Sequence, residues 1–163
     1  MILGLLSDSH DNMSALQSAV RKIKEEGVSL VLHAGDYVAP FTAKIFLEEK
    51  IDVIGVFGNN DGEKNHLLKK YSEVGEIKGE VADLSFNGKK ICIYHGTFEA
   101  FTDALAKSGS YDVLVTGHTH VAKIEKINKC LVVNPGEVCG YLTGKRSYAL
   151  LDTEKLEAKI LEF

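Results

Sequence analysis

The chain has 163 residues, of which 45% are hydrophobic and 26% charged, a composition that suits one folded domain and excludes an intrinsically disordered chain. Its formal net charge of −4 gives no overall attraction to a polyanion, so neither a nucleic-acid-binding patch nor an acidic-membrane surface is expected. The longest apolar run at the start, Met1 to Leu6, is far shorter than a signal core or a membrane span, and the expectation is a cytoplasmic protein with no membrane partner.

The first apolar run, Ile2 to Leu6, predicts a buried strand and ends in Ser7-Asp8-Ser9-His10-Asp11. A helical period follows, with Leu16, Val20 and Ile23 at spacings of three and four and Asn12 or Ser14 placed to cap it. Leu30 to His33 is the next strand and leads into Ala34-Gly35-Asp36; Phe41, Ile45 and Phe46 then form a second helical face started by Pro40. A third strand, Val53 to Phe57, leads into Gly58-Asn59-Asn60-Asp61, and Leu67 and Leu68 fit a short helix. Asn87-Gly88 is the sharpest turn signal and joins Val81 to Phe86 with Lys89 to Tyr94, whose end carries His95-Gly96. A helix is expected around Phe101 to Lys107, and the strand Val113 to Val115 leads into Gly117-His118-Thr119-His120. Asn128-Lys129 joins Lys123 to Ile127 with Cys130 to Val133, and a turn at Asp152 to Lys155 joins Tyr148 to Leu151 with Leu156 to Leu161.

Strand and helix alternate in the first half, as in a parallel or mixed α/β sheet, while hairpins dominate the second. No internal repeat, linker or low-complexity stretch divides the chain, so residues 1–163 read as one domain. Cys92, Cys130 and Cys139 form no CxxC pair and lie in or beside apolar segments, as reduced, mostly buried thiols do. In open α/β sheets the ligand site forms beyond the carboxyl ends of the strands, where all five polar clusters sit.

Those clusters hold metal-ligating side chains. Asp8 and His10 are two apart, so on an extended segment they leave from one side and can grip one ion. Asp36 can bridge two ions through its two oxygens. Asn59 offers an amide oxygen, and His95, His118 and His120 offer imidazole nitrogens. A nitrogen and oxygen set without thiolate suits Mn²⁺, Fe²⁺, Co²⁺, Ni²⁺ or Zn²⁺. Two such ions about 3.5–4 Å apart can share a hydroxide and present it to phosphorus. Two carboxylates against two divalent ions leave a positive surplus, which would let an acidic chain whose only arginines are Arg21 and Arg146 attract a phosphate. His33 and His66 read as structural or surface residues. Asp11 and Asp61 are divided evenly between orienting a ligand and closing a turn. Gly35, Gly58, Gly96 and Gly117 are expected to let the backbone turn beside the metals.

The ordered series DxH, GD, GNxD, HG and GHTH, carried here by Asp8, His10, Gly35, Asp36, Gly58, Asn59, Asp61, His95, Gly96 and the segment Gly117 to His120, resembles the calcineurin-like metallophosphoesterase superfamily. The short chain is similar to that superfamily's small prokaryotic phosphodiesterase branch, and Asn134-Pro135-Gly136 matches a segment that follows GHTH there. The resemblance implies an α/β (α+β) fold: a four-layer α/β/β/α sandwich with two packed mixed β-sheets and the metal site at the strand C-terminal ends. It implies that Asp8, His10, Asp36 and His120 hold the first of two divalent transition-metal ions, manganese or nickel among the options, and that Asp36, Asn59, His95 and His118 hold the second. The implied activity is hydrolysis of a small phosphodiester by a metal-bridging hydroxide. The alternatives are a phosphomonoesterase or nucleotide pyrophosphatase on the same site, or a non-catalytic protein-binding scaffold like the small retromer subunit. A homo-oligomer is compatible with all of these. One position departs from the pattern. Where many relatives have a histidine that binds the phosphate and protonates the leaving oxygen, this chain has Asn60, which donates a hydrogen bond but cannot release a proton. Asp36 and Asn60 are therefore the expected catalytic positions, with phosphodiesters favoured over alkyl monoesters.

Overall fold

Side chains alternate on a strand, so a strand apolar on both faces must be covered on both. The computed structural model describes residues 1–163 and meets that demand with two sheets and two helical layers. In chain order the elements are β1 (Ile2–Leu6), α1 (Met13–Glu25), β2 (Leu30–His33), α2 (Ala43–Glu49), β3 (Asp52–Gly55), α3 (Lys64–Tyr71), β4 (Gly75–Ile77), β5 (Val81–Phe86), β6 (Lys89–Tyr94), α4 (Glu99–Lys107), β7 (Val113–Val115), β8 (Lys123–Ile127), β9 (Cys130–Asn134), β10 (Ser147–Asp152) and β11 (Glu157–Glu162).

One sheet runs β11-β10-β1-β2-β3-β4 and the other β5-β6-β7-β9-β8. Within the first, β1, β2, β3 and β4 are parallel, with Leu6 opposite His33 and His33 opposite Gly55. Within the second, β6, β7 and β9 are parallel, with Ile93 opposite Val115 and Val115 opposite Val133. The registers align the carboxyl ends of these strands, so the loops that follow them open at common edges. Both sheets are mixed, because β10, β11, β5 and β8 pair antiparallel.

The inner faces meet through Leu3, Leu5, Leu32 and Val56 on one side and Ile91, Ile93, Val113, Val115 and Val133 on the other. Outside the first sheet, α1 buries Leu16, Val20 and Ile23 in a cluster of 21 buried residues with Val31, Phe46, Val53 and Tyr71. Outside the second sheet the cover is thinner: α4 contributes Ala106 to a cluster of 6 with Cys92, Tyr94, Leu114, Cys130 and Val132. All three cysteines are free and buried, as expected from their apolar surroundings.

Several boundaries differ from the sequence reading. Asn12, not Ser14, caps α1: its Oδ1 accepts from the Ala15 N–H at 3.2 Å, and its Nδ2 donates to the Cys139 carbonyl at 3.0 Å. A 3-10 turn, Pro40–Thr42, precedes α2. β3 ends at Gly55; beyond it Val56 donates to the His33 carbonyl and Phe57 to that of Gly79, so the chain leaves the ladder without stranding its amides. β4 has only 3 residues, too few for a periodic signal. The helix expected from Phe101 begins at Glu99. Leu156 sits in the final turn with φ 54°, so β11 starts one residue later than expected. No helix is long and apolar enough to cross a membrane.

Leu5 lies fully buried between the sheets. Leu5→Ala should lower unfolding stability by about 2–5 kcal/mol, measured by chemical denaturation; a loss of only a few tenths would show that the sheets do not pack as described.

Candidate metal centre

The loops after β1, β2, β3, β6, β7 and β9 are stitched to one another by backbone hydrogen bonds. Asp8 donates to the Gly35 carbonyl at 3.0 Å, His10 to that of Asp36 at 3.0 Å, Gly117 to that of His95 at 2.8 Å and Cys139 to that of Asp8 at 3.1 Å. Asp8 and His10 converge, but not by the strand alternation expected of them. Asp8 has φ 53° and His10 φ 40°, and Asp36 (59°), His118 (67°) and His120 (61°) share this left-handed conformation. The side chains are aimed by tight left-handed turns, each of which costs ~1–2 kcal/mol for a residue with a Cβ. Inter-loop bonding holds them there, the usual circumstance in which strained backbone persists at a functional site.

Asp36 is the centre of the arrangement. Its Oδ2 lies 3.4 Å from His10 Nε2 and 3.4 Å from His95 Nε2, while Asn60 donates through Nδ2 to Oδ2 at 2.7 Å and through its backbone N–H to Oδ1 at 2.8 Å. Asp8 Oδ1 lies 3.4 Å from His120 Nε2 and 3.9 Å from His10 Nε2, and the Asp8 carboxylate accepts the His118 N–H at 3.1 Å. The His10 and His120 rings stack at 5.1 Å, and the His118 ring meets the edge of His95 at 5.3 Å. Asp8, His10 and His120 form one group close enough to hold an ion, and Asp8, Asp36 and His95 form another. Asn59 adds its Oδ1 at 3.0 Å from His95 Nε2. Of the seven expected ligands, His118 is placed least directly, through its backbone bond to Asp8 and its ring contact with His95.

This donor set fits divalent cations. His10 Nε2 is buried and has no hydrogen-bond partner, and an orphaned buried nitrogen is costly unless something binds it. His95 gives its Nδ1 proton to the Ala34 carbonyl at 2.7 Å, so the neutral ring points a lone pair at Asn59 Oδ1 and Asp36 Oδ2, both acceptors. Three acceptors placed so close together favour a cation between them, whether a second proton on His95 or a metal ion. The titration behaviour agrees. Burial disfavours the charged form of His95, yet Asp36 and Asp8 overcome it and raise the imidazole above its ordinary value. Burial likewise opposes ionisation of Asp36, but the bonds from His95 and Asn60 hold that carboxyl well below the usual range. Burial pushes the Asp8 carboxyl up, against the pull of His95, Ser7 and His120.

Two acidic residues outside the expected ligand set complete the site. Asp61 resolves in favour of orientation: Oδ2 accepts the N–H of Asp36 at 2.9 Å and of Gly58 at 2.7 Å, and Oδ1 that of Val38 at 2.8 Å, so it fixes the loop that presents Asp36. Asp11 has a similar, smaller part and accepts the Ala39 N–H at 2.8 Å. Glu137 was not singled out by the sequence reading. It is fully buried and accepts from His120 Nδ1 at 2.7 Å, from Cys139 Sγ at 3.1 Å, from Thr143 Oγ1 at 2.7 Å and from the backbone of Tyr141, Leu142 and Thr143. Burial opposes its charge, but His120 and Thr143 outweigh that and hold the carboxyl well below the usual range. A carboxylate on Nδ1 fixes the tautomer that aims Nε2 at Asp8, the arrangement by which metal-binding histidines are oriented. The only cue in the sequence was its place directly after Asn134-Pro135-Gly136.

The remaining residues divide as expected, with one correction. His33 is a core histidine stacked on Tyr37 at 4.0 Å, and burial pushes its pKa down to about 3. His66 lies at the surface beside Glu63. The glycines do not all serve backbone turning. Gly58 and Gly117 have no left-handed φ; they are needed for space, since a Cβ on Gly58 would lie 2.1 Å from Asp36 Oδ1 and one on Gly117 2.8 Å from Asp8 Oδ2.

The fold and this cluster define a metal-dependent phosphoesterase, and the chain belongs to the calcineurin-like phosphoesterase superfamily, whose domain matches residues 1–156. Among particular proteins it is similar to a phosphodiesterase of Methanocaldococcus jannaschii, 38% identical over 159 residues that cover 96% of each chain. The solved structure of an archaeal phosphodiesterase superposes with a TM-score of 0.95 at 36% identity over 100% of both chains. Vacuolar protein sorting 29 of Cryptosporidium parvum superposes with a TM-score of 0.71 at 19% identity, covering 99% of this chain and 97% of its own, a likeness of fold alone.

Glu137→Gln should weaken Mn²⁺ binding by about 10–100-fold while keeping the fold, because His120 loses its anionic anchor. Metal titration of the variant beside the parent checks this, and equal affinities would contradict the orienting role.

Proposed function

We propose that this phosphoesterase hydrolyses small phosphodiesters with two divalent ions, one held by Asp8, His10, Asp36 and His120 and the other by Asp36, Asn59, His95 and His118. The observation that carries the reading is the position of the Asp36 Oδ2 atom, equidistant at 3.4 Å from His10 on one side and His95 on the other. A carboxylate so placed suits a bridge between two ions. Superfamily membership and the identity to a phosphodiesterase support the reaction class. When bound, such ions supply Lewis acidity toward the phosphate oxygens and make water acidic enough to act as a nucleophile near neutral pH.

The protein's own side chains then position and neutralise. Asp61 and Glu137 hold Asp36 and His120 in place, so the site keeps its shape while charge develops on the substrate. Asn60 directs its amide at Asp36 and lies at the exposed mouth of the site, where the same amide can donate to a phosphate oxygen. It offers no proton to the departing oxygen. Substrates whose leaving group departs as a stable anion, or is protonated by solvent, are therefore preferred, and alkyl monoesters are slow. A scaffold role finds support only in the fold likeness at 19% identity, whereas all seven candidate ligand side chains are present here.

Two measurements test this. Chelator-treated protein should not hydrolyse bis(p-nitrophenyl) phosphate, Mn²⁺ or Ni²⁺ should restore turnover, and Asp36→Asn should lower it by ~10²-fold or more with loss of bound metal. Retention of most activity in that variant would refute the bridge. Asn60→His should raise turnover of alkyl phosphate esters by ~10²-fold, the lower end of what a positioned general acid contributes, and little for p-nitrophenyl esters; an unchanged rate on the alkyl esters would refute the account of Asn60.

A further inference from the structure

The Thr119 N–H donates to the Gly117 carbonyl at 2.8 Å, which closes a three-residue turn with His118 at its apex and at φ 67°. A turn of that hand and size is rare because it is strained, and strained backbone persists only where its surroundings overdetermine it. Asn134, buried at the end of β9, clamps both flanks of this turn. Its Nδ2 donates to the Gly117 carbonyl at 2.8 Å and to Thr119 Oγ1 at 3.0 Å, and its Oδ1 accepts the Gly136 N–H at 2.9 Å. These partners fix the orientation of the amide, because exchanging its oxygen and nitrogen would set acceptor against acceptor at Gly117 and donor against donor at Gly136. Gly136 is itself anchored. Its carbonyl accepts Ser7 Oγ at 2.7 Å, and at φ 82° it leaves no room for a Cβ, which would lie 2.2 Å from Ser147 Oγ. One buried amide thus ties the turn that carries His118 to the loop that carries Glu137 and, through Ser7, to the strand end that carries Asp8.

We infer that Asn134 is a positioning residue for metal binding: through Gly117 and Thr119 it fixes the backbone turn that presents His118, a ligand of the second ion. The inference rests on the two-ion reading and gives the Asn134-Pro135-Gly136 segment a part in it. It also separates the two histidines of the turn. His120 is aimed by Glu137 at its Nδ1, whereas His118 is aimed through its backbone, by Asp8 at its own N–H and by Asn134 at the residues on either side. Loss of the Asn134 clamp therefore falls on one ion, as loss of the Glu137 carboxylate falls on the other.

The test is Mn²⁺ titration followed by electron paramagnetic resonance, which counts unbound ion and needs no substrate. Asn134→Asp keeps the size of the side chain and the acceptor for Gly136 but removes both donors. Its added negative charge by itself strengthens cation binding, so a weaker site reports the lost clamp. The parent should take up two ions, and the variant should bind one of them about 10–100-fold more weakly and the other as the parent does. Thr119→Val, at an exposed residue, removes one acceptor of the clamp without disturbing the core. It should weaken the same ion by about fivefold, the worth of one neutral hydrogen bond, and it decides alone if Asn134→Asp does not fold. In the His118→Ala protein, adding Asn134→Asp should bring no further loss, whereas independent effects would multiply. Unchanged affinity in either single variant, equal weakening of both ions, or a multiplied loss in the double variant would overturn the proposal and leave the two-ion reading intact. A parent that takes up only one ion overturns both.

Discussion

Two buried carboxylates, Asp8 and Asp36, face three imidazoles and an amide oxygen with fewer protons than acceptors. In water such a group would disperse. Here it is held together by the sheets, since a parallel register sets β1, β2 and β3 side by side and another sets β6, β7 and β9, so loops from distant parts of the chain have nowhere else to go. The arrangement is electrostatically incomplete until a cation enters, and the orphaned His10 nitrogen marks where that incompleteness is greatest. An affinity for a cation thus follows from the way the core is built.

The protein maintains this incomplete site by surrounding it with complete ones. Asp61 and Glu137 carry buried negative charge like Asp8 and Asp36, but they spend it on backbone N–H groups and on His120. The charge balance drawn from the sequence counted only two carboxylates; the structure places four there, and only hydrogen bonding distinguishes the pair that faces the imidazoles from the pair that holds backbone and His120. The same division accounts for the left-handed residues. Their strain is tolerable because each loop is tied to the next by amide–carbonyl bonds of 3.0 to 3.1 Å between Asp8, His10, Gly35, Asp36 and Cys139.

Most of the architecture was legible because it is written in local pattern. The hairpin at Asn87-Gly88 appears as predicted, with both residues at positive φ, and the apolar runs gave every strand of more than three residues. The gathering of ligand types at strand ends pointed to the cluster that the structure brings together, since loops that follow neighbouring strands open at a common edge. What the sequence hid depends on three dimensions. Glu137 looks like any loop glutamate until six donors surround it. Nor does spacing reveal that Asp8 and His10 meet through left-handed turns, or that Gly58 is needed as room for a carboxylate. β4 was missed because Gly-Glu-Ile owes its strand to β3 alone.

The central claim is that Asp36 stands between two cations. Anomalous diffraction from crystals soaked in Mn²⁺ addresses it without reference to any substrate: two peaks about 3.5–4 Å apart, with Asp36 between them, are predicted. A single peak, or one displaced to the neighbouring His120, Glu137 and Cys139 group, would contradict it.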